Sequence, residues 1–133
     1  SMGGYGAVML ALRHPDRFGV AASHAGAFGF CHRPCRRELE AIRESVGPEY
    51  DCFELASKLL QNRSMVLPSL RLDCGQEDSL LEDNRSFHQH LNTIGYPHEY
   101  QENPGGHTWA YCDRHIQDTL RFVQEYFSKN NPP

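Results

Sequence analysis

No apolar run in this sequence approaches the roughly 20 residues needed to cross a bilayer, and no cationic, then apolar leader opens it. Membrane insertion is therefore not expected. Positive charge is also scarce: the formal net charge is -4, and the densest cationic stretch, His32-Arg33-Pro34-Cys35-Arg36-Arg37, runs at once into Glu38 and Glu40. A nucleic-acid partner needs a basic stripe, so that class is set aside. The five cysteines (Cys31, Cys35, Cys52, Cys74, Cys112) are odd in number and irregularly spaced, which is no disulfide framework. Reduced thiols and a cytoplasmic setting are expected. Cys31-His32-x-x-Cys35 has no second pair at zinc-finger distance, so no metal is expected there. Repeats and low-complexity tracts are absent.

What is present is the composition of a packed domain. Hydrophobic residues make up 39% and charged residues 23%, with Trp109, six tyrosines and seven phenylalanines, enough apolar mass to order the chain. At 133 residues one core is expected, and residues 1–133 are read as a single domain.

The apolar periodicities alternate between the helical and extended types. Gly4 to Arg13 reads as a helix that stops before Pro15, because the residue preceding a proline is pushed out of helical geometry. Phe18 to Ala25 suits a buried parallel strand and leads into a loop around Phe28 to Pro34. Leu39, Ile42 and Val46 share one helical face, and Cys52, Leu55, Ala56 and Leu59 another, with Gly47-Pro48 between them. Ser69 to Cys74 is the next strand; Phe87, Leu91 and Ile94 mark a helix closed by Gly95. His98 to Glu102 is the last strand, and Ile116, Leu120, Val123 and Phe127 recur at helical spacing. Asn130 to Pro133 should fray. Strands separated by helices predict an α/β fold with a three-stranded parallel sheet joined by right-handed crossovers. A strand near Val20 to Ser23 left without a neighbour would be an adhesive edge.

Three polar motifs sit at the ends of these elements. Ser1-Met2-Gly3-Gly4-Tyr5-Gly6-Ala7 has the small residues that a nucleophile elbow requires after its serine, where strand and helix crowd together. Asp78 follows a strand in Cys74-Gly75-Gln76-Glu77-Asp78. His107 follows another in Pro104-Gly105-Gly106-His107-Thr108-Trp109. Serine, acid, histidine is the chain order of α/β-hydrolases. Other readings stay open at this point. A serine before a methionine is also what tag removal leaves, and a terminal serine could use its own amino group, of pKa about 8, as a base. Glu77, Glu82 and Asp83 rival Asp78, which also suits a plain turn. His88 and His90 lie on different helical faces. Asn62-Arg63-Ser64 and Asn84-Arg85-Ser86 match the glycosylation pattern, which means nothing without secretion.

Taken with Arg13-His14-Pro15-Asp16-Arg17-Phe18 and Glu82-Asp83-Asn84-Arg85, these motifs resemble the C-terminal half of an esterase family. That family includes S-formylglutathione hydrolases (esterase D), acetyl-xylan and feruloyl esterases and mycolyltransferases. The resemblance implies an α/β-hydrolase fold and a serine hydrolase acting on a small-molecule ester or thioester without metal or organic cofactor. Ser1 would be the nucleophile, His107 the general base and Asp78 the acid that orients it. The Met2 amide would be one oxyanion donor, and Trp109 and Tyr111 would line an acyl or leaving-group pocket, or else pack in the core. The family's first strands, with the loop that donates part of the oxyanion hole, have no counterpart in this sequence. A partial domain is thus expected, with activity weakened or lost, or a role as an assembly module; the mycolyltransferases of the family add acyl transfer in place of hydrolysis as a further option. Self-association as a homodimer or domain-swapped oligomer would cover the open edge.

Overall fold

A computed structural model describes residues 1–32 and 44–131. Helix α1 (Met2–Arg13) leads to strand β1 (Val20–His24), and two short 3-10 turns follow, Phe28–Cys31 and Pro48–Tyr50. Then come α2 (Cys52–Gln61), β2 (Ser69–Gly75), α3 (Leu81–Ile94), β3 (His98–Asn103) and α4 (Trp109–Asn130). The helical face read at Leu39 and Ile42 lies outside the described residues, as does Cys35 of the Cys31-His32-x-x-Cys35 motif. No helix among the described residues is long and apolar enough to cross a membrane.

The three strands form one parallel sheet in the order β1-β2-β3, with Ala21 opposite Leu70 and Leu72 opposite Tyr100. This is the α/β fold with a three-stranded parallel sheet that the sequence predicts. Among the described residues β1 is an edge strand, paired with β2 on one side only. Several boundaries follow from local chemistry. Asp51 caps α2 by accepting from the Phe53 amide at 3.0 Å. Gly95, at φ 78°, ends α3 in the left-handed conformation that spares glycine a steric cost. Thr108 caps α4 by accepting from the Tyr111 amide at 3.2 Å.

Alternation along the strands gives the sheet two unlike faces. Ala21, Leu70 and Leu72 point to the side of α1, α2 and α3, where they join Val8, Leu12, Ala56, Phe87 and Leu91 in the apolar core. Phe28 stacks on Phe87 there, with ring centroids 4.4 Å apart. The register puts His24, Arg71, Asp73, Glu99, Gln101 and Asn103 on the opposite face. That face, beneath α4, is polar, although the strands read as apolar in sequence.

The last helix, α4, leaves much of its apolar stripe uncovered. Its periodicity is helical as predicted, but Ile116, Leu120 and Phe127 are exposed, together with Trp109. Tyr111 is its buried residue. The reason is geometric: α4 meets a polar, three-stranded sheet through polar side chains, which leaves its apolar stripe facing outwards.

Candidate active site

Ser1 sits immediately before α1, at the carboxyl end of β1. Its amino nitrogen donates to the carbonyl of His24 at 3.1 Å, and its own carbonyl accepts from the amides of Tyr5 and Ala27. The chain reverses tightly beneath it. Ala25 adopts φ 48°, a left-handed conformation that costs a residue with a Cβ roughly 1 kcal/mol. Gly4 has no room for a side chain, because a Cβ there would meet the Ser23 hydroxyl and the backbone of Gly26. Gly4 therefore does what an elbow requires, letting α1 lie against the strand end, whereas a Cβ at Gly3 or Gly6 would meet nothing. The Met2 amide opens the helix, in the first turn, where backbone donors have no partner within the helix.

Asp78 and His107 come from the loops after β2 and β3. Those loops are joined by backbone hydrogen bonds from Gln76 to Asn103 and from Glu77 to Gly105. Gly75 permits the approach, since a Cβ on it would collide with the Gly105 carbonyl. Asp78 is buried and both its oxygens are engaged. Oδ1 accepts from the Leu80 amide at 2.8 Å, and Oδ2 is 2.8 Å from His107 Nδ1. The bond to Asp78 fixes the imidazole with its proton on Nδ1. Nε2 of His107 has no hydrogen-bond partner among the described residues, and the side chain is 45% exposed.

Each rival carboxylate has other work. Glu77 accepts from the Gly105 amide, Glu82 pairs with Arg85 at 3.0 Å on the surface, and Asp83 accepts from the Gly29 amide at 3.2 Å. Asn84 donates to the carbonyls of Gly26 and Leu80, tying the loop under Ser1 to the start of α3.

Ser1, Asp78 and His107 line one cavity of about 310 Å³ together with His24, Ala25, Trp109, Tyr111 and Cys112. The structure thus brings the three sequence-predicted polar side chains to one cleft. Trp109 is 89% exposed and stands at the rim, not in the core. Tyr111 is buried and forms part of the floor. Cys74, next to Asp73 in the chain, is no alternative nucleophile: burial pushes its thiol up to about 12, which leaves almost no thiolate at neutral pH.

His24 was not picked out by the sequence reading. Its Nδ1 is 2.9 Å from Asp73 Oδ1, and its Nε2 is 3.1 Å from the Thr119 hydroxyl. Asp73 also accepts from Arg71 and from the Tyr111 hydroxyl at 3.0 Å. Burial pushes the Asp73 carboxyl up, but the hydrogen bonds from His24 and Arg71 together outweigh it and hold the group below the ordinary carboxylate range. The signal in sequence was the Arg71-x-Asp73 spacing, which places two charges on one face of a strand.

A family model described as "Putative esterase" matches residues 1–123. The chain is 25% identical over 141 aligned residues to an acetyl esterase from Caldicellulosiruptor saccharolyticus, covering 94% of this chain and 52% of that protein. Among solved structures it is similar to an S-formylglutathione hydrolase from Staphylococcus aureus, with a TM-score of 0.79 and 28% identity, over 92% of this chain and 51% of the other. A ferulic acid esterase matches with a TM-score of 0.78 and 26% identity, over 96% of this chain and 50% of the other. The chain spans about half the length of the relatives it matches.

Proposed function

The chain belongs to the "Putative esterase" family, and from that premise we propose that its cleft is the site of a serine hydrolase for small carboxylic esters or thioesters. The observation that carries this reading is the Asp78–His107 bond of 2.8 Å, whose imidazole shares a cavity with Ser1. His107 Nε2 takes the proton from the Ser1 hydroxyl as the oxygen attacks the acyl carbon. The imidazolium then protonates the departing alcohol or thiol, leaving an acyl-serine. Water attacks that ester in the second half of the cycle, again deprotonated by His107. Asp78 holds the tautomer and offsets the charge that the imidazole gains. The Met2 amide, at the positive end of α1, supplies one donor to the oxyanion. No group outside these side chains is invoked as a cofactor.

Trp109 and Tyr111 flank the acyl or leaving group in this reading. Transfer to an alcohol in place of water would use the same acyl-serine, and product analysis separates the two. Hydrolysis of p-nitrophenyl acetate by the protein, beside a Ser1→Ala control, tests the proposal. Turnover that disappears in the variant supports it, and equal rates remove Ser1 from the chemistry.

Assembly without catalysis is the second reading, favoured by the open β1 edge and the exposed Trp109, Ile116, Leu120 and Phe127. An acyl-transfer site works with two oxyanion donors, and removing one costs about 2.7 to 4 kcal/mol of transition-state stabilisation. Here Met2 accounts for one. In this reading two copies meet as a homodimer or a domain-swapped pair. Light scattering at micromolar concentration checks it, and a monodisperse monomer rules it out.

A further inference from the structure

The loop that carries His107 is held at both ends by a single residue. At its start, the Asn103 side chain donates to the Tyr111 hydroxyl at 3.2 Å. At its end, the Thr108 hydroxyl accepts from the Tyr111 amide at 3.2 Å. Between these points the Tyr111 ring packs so close to Gly105, at φ 126°, that a Cβ there would lie 3.0 Å from the ring. Tyr111 is in turn fixed by its hydroxyl, which donates to Asp73 Oδ1 at 3.0 Å.

The same carboxylate reaches the other side of the cleft. It holds the His24 ring at 2.9 Å, and the Asp73 carbonyl accepts from the Ala25 amide at 2.8 Å. His24 is the residue whose carbonyl receives the Ser1 nitrogen. Arg71, buried beside Asp73, balances its charge and also donates to Glu99 and Gln101 of β3. A buried, charged network of this kind is no cheaper than apolar packing of equal volume. What it adds is direction, since hydrogen bonds fix a register where methyl groups would slide.

We propose that Asp73 is a positioning residue for the cleft: acting through Tyr111, its carboxylate sets where His107 stands. This rests on the hydrolase reading above. Asp73 touches neither substrate nor reacting atoms. It has the Tyr111 hydroxyl as its lever, and a displacement of the loop by as little as 1 Å costs on the order of a hundredfold in rate.

Tyr111→Phe tests the link, because it keeps the ring and removes only the hydroxyl, leaving Arg71, Asp73 and His24 paired. Two quantities are measured: ester turnover, and the low-field NMR resonance of the His107 Nδ1 proton shared with Asp78. The expected result is a kcat lower by about tenfold with KM within about twofold, and a resonance broadened or lost. Asp73→Asn should reproduce both effects if it folds, and Tyr111→Phe stands alone if it does not. A folded Tyr111→Phe protein with the parent's kcat and resonance overturns the proposal. So does a raised KM with the resonance intact, which would make the hydroxyl a substrate contact. Should the parent protein hydrolyse no ester, the functional reading fails, while the resonance of the variant still decides the positioning role.

Discussion

Two aspartate–histidine pairs, each joined through Nδ1, present their imidazoles to one cavity: Asp78 with His107 at 2.8 Å and Asp73 with His24 at 2.9 Å. Distance does not separate them, and neither does burial of the carboxylate, since both aspartate side chains are fully enclosed. They differ at the far nitrogen and in the charge around the acid. Nε2 of His107 is open to the cavity, whereas Nε2 of His24 is bonded to Thr119 and the ring is only 16% exposed. Asp78 has an amide and an imidazole as partners; Asp73 has an imidazole, a phenol hydroxyl and a guanidinium. A carboxylate already balanced by arginine has little left to offer an imidazolium. The lesson is that an Asp–His pair becomes a base when its outer nitrogen and its negative charge are both unspent, and becomes a brace when both are spoken for.

The comparison breaks most visibly in kinetics. His107→Gln should lower kcat for an ester by about ten-thousandfold or more, while His24→Gln should stay within about tenfold of the parent; steady-state assays of the two proteins side by side check this. Equal losses would mean that the open nitrogen is not the distinction. In stability the order reverses. Asp73→Ala strands the buried Arg71 and should cost about 3 to 5 kcal/mol, read from urea unfolding. A cost under about 1 kcal/mol would show that Arg71 is satisfied by Glu99 and Gln101 alone.

A smaller effect is expected at Gly75. The Cβ of Gly75→Ala pushes on the Gly105 carbonyl and should reduce kcat by about a hundredfold through the His107 loop, with near-parental His24 chemical shifts as the control. Thr119→Val frees His24 Nε2 and should lower stability by about 1 kcal/mol without a matching loss of turnover. Acid titration gives the gentlest test. The folded Asp73 carboxyl titrates below its unfolded value, so the stability it contributes is complete above about pH 4 and is lost as pH falls through the folded value. Unfolding midpoints measured between about pH 5 and about pH 2 should therefore slope less steeply in Asp73→Asn than in the parent.

Much of this arrangement was legible in the sequence, and for stated reasons. The strands, α1 and α2 began within a few residues of their apolar patterns, because periodicity is a local property, whereas α3 and α4 start at Leu81 and Trp109, well before the patterns read from Phe87 and Ile116. Ser1 stood out for the glycines that follow it, and Asp78 and His107 because each sits in a glycine-bearing turn after a strand-like run. The brace did not stand out. Arg71, Asp73 and His24 are embedded in strands whose other residues are small or apolar, and the period-2 alternation that exposes a polar face was masked by the central strand's burial on both sides. The stripe of α4 was correctly read as periodic, yet Ile116, Leu120 and Phe127 face outwards, since periodicity tells which residues share a face and not what covers it.

By itself the sequence determined the order of elements, the parallel sheet that this order demands, and the turns that lift a serine, an aspartate and a histidine to the strand ends. Only the tertiary structure decided which imidazole keeps a nitrogen free. That choice depends on Thr119 of α4 and Asp73 of β2 both reaching the His24 ring, and hydrogen bonds between residues so distant along the chain leave no trace in any local pattern.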